Sequence, residues 1–220
     1  ATIKGNVGNV SSWHNFGGGV VIKNFTLNCD TSTEASIIEE NYSGDGGALF
    51  LENTSSTLQN ITIQNNSYNE NGYKNGSEVL LYSGANISIA SSNVTIKSAA
   101  GETRGIFMNN NNTLNLSGDA KLDTPIYLTN GAMITVSAAL TSTDTVATIT
   151  PQYYPGDTMY DGQGNETGTA ENVLVLTVGT DVTLSNDIVG KFAVTPKKND
   201  EDNTEKPYTI NLSGMLQLVE

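Results

Sequence analysis

The sequence predicts an all-β chain, a right-handed parallel β-helix built as a single-stranded solenoid with three short strands per coil. The first observation behind this is a doublet of aliphatic residues one position apart, edged by Thr, Ser and Asn. It recurs as Ile61-Thr-Ile63, Ile87-Ser-Ile89, Leu114-Asn-Leu116, Ile134-Thr-Val136, Val182-Thr-Leu184 and Ile210-Asn-Leu212, and its first steps are 26, 27 and 20 residues. A period of that size in a β-rich chain points to stacked coils. The second observation is that apolar residues alternate at period two, with no stretch holding the i, i+3, i+4, i+7 spacing of an amphipathic helix. The third is that each doublet has companions: Leu49-Phe-Leu51, Val79-Leu-Leu81, Ile106-Phe-Met108 and Ile126-Tyr-Leu128 precede it, and Val94-Thr-Ile96, Ala120-Lys-Leu122 and Ala138-Ala-Leu140 follow it.

Taken along the chain, residues 1–105 read as longer, irregular coils, 106–150 as regular coils of about twenty residues, and 151–220 as looped C-terminal coils, all within a single domain spanning 1–220. In the regular part, residues 106–125 align position for position with 126–145, placing Met108 over Leu128, Leu114 over Ile134 and Leu116 over Val136. Each inward aliphatic contributes about 1.5–3 kcal/mol when buried, against about 1–2 kcal/mol of backbone entropy per ordered residue, so only a stack of coils is stable. The strongest helical candidate, Thr33 to Glu40, is one or two turns long. Asn is plentiful at the expected corners, because its side chain bonds nearby backbone, tolerates left-handed conformations and pairs with a residue one coil away. Asn109 to Asn112 reads as such a corner.

Three segments break the period. Asn65 to Ser77 is a polar loop; Pro151 to Ala170, with Tyr153, Tyr154, Tyr160 and four glycines, is a protruding loop; Pro196 to Pro207 is a solvated hairpin tip.

Composition narrows the function classes. A net charge of −13, with Arg104 the only arginine and Lys197-Lys198 followed at once by Asp200, Glu201 and Asp202, argues against nucleic acid and anionic membrane surfaces. The apolar runs fall far short of the ~20 residues that span a bilayer, so no membrane insertion is expected of this segment. No basic-plus-apolar leader opens the chain, and signal and anchor are expected outside it. Cys29 is alone, which rules out an intrachain disulfide and reads as a small buried hydrophobe beside Phe25 and Leu27. His14, the only histidine, lies near Trp13 without partners for a triad or a metal set. Gly17-Gly-Gly19 precedes a strand and lacks the strand-then-helix context of a phosphate loop. The Asn-x-Ser/Thr triplets, such as Asn60-Ile-Thr62, follow from a chain rich in those residues.

Two sets of motifs resemble known surface proteins. Phe25-Thr-Leu-Asn28, Phe50-Leu-Glu-Asn53 and Phe107-Met-Asn-Asn110, the second directly after Gly46-Gly-Ala-Leu49, resemble the repeats of chlamydial polymorphic outer-membrane proteins. The run from Ile126 through Leu140, with Val146-Ala-Thr-Ile-Thr-Pro151, Tyr154, Gly156, Lys191-Phe-Ala-Val194 and Tyr208 to Gly214, looks like the repeat units of large treponemal surface proteins. These resemblances imply an exported, repetitive, non-catalytic protein of the bacterial cell surface.

The chemistry expected of a polysaccharide hydrolase or lyase needs carboxylates converging on one face, or acid-bound calcium with a basic residue. Asp45, Asp119, Asp123, Asp144, Asp157 and Asp161 are scattered, although Asp119 and Asp123 are candidates to share a surface with Arg104. The acids at Asp157 to Asp161 and Asp200 to Asp202 match no defined calcium loop, and the threonine alternation from Thr141 to Thr150 lacks the in-register repeats that bind ice. No catalytic residue, metal or cofactor is expected. Tyr153, Tyr154 and Tyr160 either cover the open side of a coil or are the candidate binding residues, as amphipathic side chains that lie against sugars or protein surfaces. The expectation is a monomeric, extracellular display or adhesin-like protein whose partner is a host or environmental protein or polysaccharide, with a carbohydrate-active β-helix protein as the alternative.

Overall fold

A computed structural model describes residues 1–8, 18–24, 34–68, 75–199 and 204–219. Trp13, His14, Gly17, Phe25 to Cys29 and the Asp200 to Asp202 run lie outside the described residues. The structure is all-β, and its larger sheets are parallel. A seven-stranded sheet stacks Val20–Lys23, Leu49–Glu52, Val79–Tyr82, Ile106–Met108, Pro125–Leu128, Ala147–Pro151 and Phe192–Val194 in chain order. A five-stranded sheet stacks Ser55–Leu58, Asn86–Ile89, Thr113–Gly118, Met133–Leu140 and Leu176–Val178, and a four-stranded sheet stacks Thr2–Lys4, Ser36–Glu39, Ile61–Gln64 and Val94–Lys97. From Leu49 to Lys97 the chain visits these three sheets in that order twice, adding one strand to each at every passage.

The alignment of the regular coils holds residue by residue: Ile106 pairs with Ile126, Met108 with Leu128, Leu114 with Ile134 and Leu116 with Val136. Other parts of the sequence reading are corrected. Ile61-Thr-Ile63 is not the counterpart of Ile87-Ser-Ile89; it lies in the four-stranded sheet between Ile37-Ile38 and Val94-Thr-Ile96, while Ile87 pairs with Ser56 and Leu114. The words look alike because both sheets bury the same face of a period-two strand. The strand stacked on Ile134–Val136 is Leu176–Val178, and Val182-Thr-Leu184 forms no strand but packs partly buried on the core. Ile210 closes an antiparallel pair, Tyr208–Ile210 with Leu216–Leu218, leaving Leu212 54% exposed. Ser36–Glu39 is extended where a helical turn was expected, because pairing on both edges outweighs a weak helical preference. Ala120-Lys-Leu122 forms no strand although Ala120 and Leu122 are buried, and Ala138 to Leu140 merely prolong the Met133–Leu140 strand. The described residues contain one helix, Asn186–Val189, whose N-terminus is capped by the Ser185 hydroxyl accepting from Ile188 N.

Inward side chains of the three sheets form one contiguous apolar cluster running from Ile38 to Leu216. The outward side of the seven-stranded sheet carries a second cluster, in which Phe50, Leu80, Phe107 and Tyr127 stack strand upon strand. The Phe107 and Tyr127 rings lie 5.1 Å apart and nearly parallel, and the Arg104 guanidinium sits 4.3 Å over Tyr127. The phenylalanines of two Phe-x-x-Asn motifs thus face away from the main core. Asn53, which ends one of them, sits at a left-handed corner with φ 49°.

Asparagine fills the corners as its chemistry suggests: Asn24, Asn53, Asn60, Asn65 and Asn111 all take positive φ. Inside the corner after the four-stranded sheet, a left-handed residue (Gly5, Glu40, Asn65) is followed each time by a ladder residue (Asn6, Asn41, Asn66). Asn6 and Asn41 each donate to the amide oxygen of the next ladder member, and Asn66 donates to the buried Glu78 carboxylate. Asn112, at 0% exposure, does the equivalent task at another corner, donating to Leu81 O and accepting from Ala85 N.

Candidate functional site

The excursion after Pro151 is an antiparallel hairpin, Thr158–Tyr160 against Glu166–Thr169, with a register shift between Met159 and Tyr160. Its tip is set by Asp161, whose carboxylate accepts from Gln163 N, Asn165 N and Asn165 Nδ2. Those hydrogen bonds, the Asn165 side chain first, hold the Asp161 carboxyl below its usual range. The Asp161 carboxylate is therefore committed to its own turn. Among the described residues, no three His, Cys, Asp or Glu side chains gather as a metal site.

At the hairpin's base, Gly156 N donates to Ala170 O and Ala170 N to Asp157 O. Asp157 accepts from Tyr154 N at 2.7 Å and pairs with Lys197, so it ties this hairpin to the second excursion, Lys197–Lys198 against Glu205–Lys206. Tyr154 is 8% exposed; its hydroxyl donates to Thr195 O at 2.6 Å and its ring packs 4.9 Å from that of Tyr208. Burial pushes its phenol up to about 12. Tyr154 is thus a strut of the hairpin base, not an open aromatic surface.

Tyr153 and Tyr160 sit differently. The Tyr153 hydroxyl accepts from Tyr160 N at 3.2 Å and donates to Tyr160 O at 3.3 Å, which pins the half-buried Tyr153 ring against the hairpin, while the Tyr160 side chain is 55% exposed. Beside them lies a cleft of about 480 Å³, between the hairpin, the Thr129–Gly131 corner and the return segment after Ala170. Tyr153, Met133, Met159 and Leu174 supply its apolar surface, and Asn130, Gln152, Glu171 and Asn172 its polar groups. Gln152 is fixed by accepting from Asn130 N at 3.0 Å. Of the three candidate tyrosines, Tyr153 lines this cleft, whereas Tyr154 and Tyr160 do not.

The scattered acids keep separate company. Asp119 accepts from Ser92 N and Ser92 Oγ, and these bonds lower its pKa, the hydroxyl contributing most. Asp144 pairs with Lys121 at 3.0 Å in a shallower depression that Asp123 also lines. Arg104 stacks on Tyr127 and Phe107.

Sequence reasoning missed Asn130, Met133, Glu171 and Asn172 as site residues, because the cleft joins segments far apart in the chain that carry no shared motif. It also missed Glu78, fully buried and pushed up to about 7 chiefly by desolvation. No family model, curated protein or solved structure matches this chain. Among the described residues, no helix is long and apolar enough to cross a membrane.

Proposed function

We propose that the chain is a single right-handed parallel β-helix domain from an exported bacterial surface protein, and that it displays and binds without transforming a substrate. Support for the winding comes from the repeated visits of the chain to three parallel sheets, since parallel crossover connections are right-handed in about 98% of cases. The observation that carries the binding role is the cleft beside the Tyr153 hairpin. It opens where the stacked coils are interrupted, and Glu171 is the one carboxylate lining it among the described residues. Hydrolysis of a glycosidic bond needs two carboxyl groups flanking the bond, and proton abstraction needs a base with electrophilic support. Within this cleft a single exposed carboxylate supplies neither, which favours binding over glycosidic cleavage there.

Retention of the purified chain on surfaces coated with mucin, fibronectin or yeast mannan tests this reading, with the release of reducing ends followed in the same wells. Retention without release is expected. Release of reducing ends would replace the binder with an enzyme, and failure to be retained on all three coatings would remove the adhesin-like role.

A further inference from the structure

We infer that the cleft beside the Tyr153 hairpin is a binding subsite for neutral saccharides; this rests on the binding reading above and names its ligand class. Three features select that class. First, the Tyr153 ring is presented half-buried with its hydroxyl already committed to the Tyr160 backbone. It offers an apolar face of fixed orientation, suited to the C–H face of a pyranose, and loses little conformational freedom on binding. Second, the side-chain amides of Asn130 and Asn172 and the Glu171 carboxylate are exposed at the rim and make no side-chain hydrogen bond among the described residues. An amide both donates and accepts and a carboxylate accepts, so together they match vicinal hydroxyls, each of which does both. Third, the lining contains no Lys, Arg or His among the described residues, and the chain carries a net charge of −13. Uronates, sialic acids and phosphorylated sugars are therefore disfavoured by repulsion. The volume, about 480 Å³, lies within the range of roughly 300–1,000 Å³ common for ligand clefts.

A peptide added as a further strand is the competing occupant, and the same hydroxyl argues against it. The Tyr160 N–H and C=O that an added strand would use on the open edge of the hairpin are both taken by Tyr153.

The test is titration of the isotopically labelled chain with neutral gluco-, manno- and xylo-hexaoses, with chitohexaose, with hexagalacturonate and with an uncharged hexapeptide, followed by amide and side-chain resonances. At least one neutral oligosaccharide is expected to move the Asn130, Tyr153 and Asn172 signals, and hexagalacturonate at the same concentration is not. Tyr153→Ala is expected to weaken that binding at least tenfold, and Asn172→Ala, which removes an exposed side chain, to weaken it severalfold with an unchanged melting temperature. Silence of these resonances toward every neutral sugar overturns the subsite, as does a response to the hexapeptide alone. If Tyr153→Ala and Asn172→Ala are both retained undiminished on mucin, fibronectin or mannan, the saccharide subsite is wrong while the binding role stands. Loss of retention by the unaltered chain removes the role itself.

Discussion

The Nδ2 of Asn66 donates to Oε2 of Glu78 at 2.6 Å, at the end of a row of amides that begins at the exposed Asn6 and is buried at Asn41 and Asn66. Asn41 and Asn66 also reach back to the preceding strand of the four-stranded sheet, Asn41 through Ile3 O and Asn66 through Ile38 O. The row also satisfies backbone N–H groups at the corner: Asn6 N donates to Asn41 Oδ1, Asn41 N to Asn66 Oδ1 and Asn66 N to Glu78 Oε1. Its last acceptor is a carboxyl group at 0% exposure, which burial pushes up from its ordinary 4.5 to about 7.

A pH dependence follows. The folded chain holds the Glu78 proton more tightly than the unfolded chain, so the stability contribution is fully present below about pH 4.5 and is lost as pH rises through about 7. The loss amounts to about 3 kcal/mol for this group. Denaturant unfolding at pH 5 and pH 8 should show it, and Glu78→Gln should flatten the difference. An unchanged pH profile in Glu78→Gln would mean that the carboxyl does not titrate in this range.

Leu116 is fully buried between Ile89 and Val136, its neighbours in the adjoining strands. Truncation in Leu116→Ala should cost about 2–5 kcal/mol, from lost transfer energy and the cavity left behind. Leu116→Asp places a charge among stacked aliphatics with nothing to pair it and should prevent folding. Circular dichroism melts would read both, and a mild effect of Leu116→Asp would mean that the doublet faces water.

Gly47 is required by close approach of neighbouring coils. A Cβ built there falls 2.3 Å from Ser77 O and 2.6 Å from Ser67 O, both backbone atoms that cannot step aside. Gly47→Ala should lower the melting temperature by several degrees, whereas Gly162→Ala at the hairpin tip, where nothing lies within 4 Å, should leave it within experimental error. Equal melting temperatures for the two variants would contradict this packing of the coils.

Tyr154 and Tyr160 differ in role although both were read from sequence as binding residues. Tyr154→Phe removes the donor to Thr195 O, leaving a carbonyl without that partner, and should cost about 1–3 kcal/mol. Tyr160→Ala removes an exposed side chain whose backbone makes the structural bonds, and should change stability by less than about 0.5 kcal/mol. Chemical denaturation of the two variants checks the order.

Much of the fold was legible because it rests on local rules. Alternation marked Leu114, Leu116, Ile134 and Val136 as inward, and the equal spacing of residues 106–125 and 126–145 set their register, since a one-residue slip would turn every one of them outward. Register across the longer coils was not legible. Ile61-Thr-Ile63 and Ile87-Ser-Ile89 are the same word on two different sheets, and only pairing distinguishes them. The candidate site was half legible: tyrosines and glycines marked the excursion, but nothing local shows which ring is buried.

By itself the sequence determined a β-rich chain with asparagine corners, aliphatic inward faces and an interruption between Pro151 and Ala170, because strand alternation and left-handed corners are properties of a few neighbouring residues. Tertiary structure alone decided that Tyr154 is buried against Tyr208 while Tyr153 faces a cleft, that Asp157 ties one excursion to the other through Lys197, and that Glu78 ends a buried amide row. Each of these depends on which coil lies beside which, a matter of contacts between residues distant in the chain.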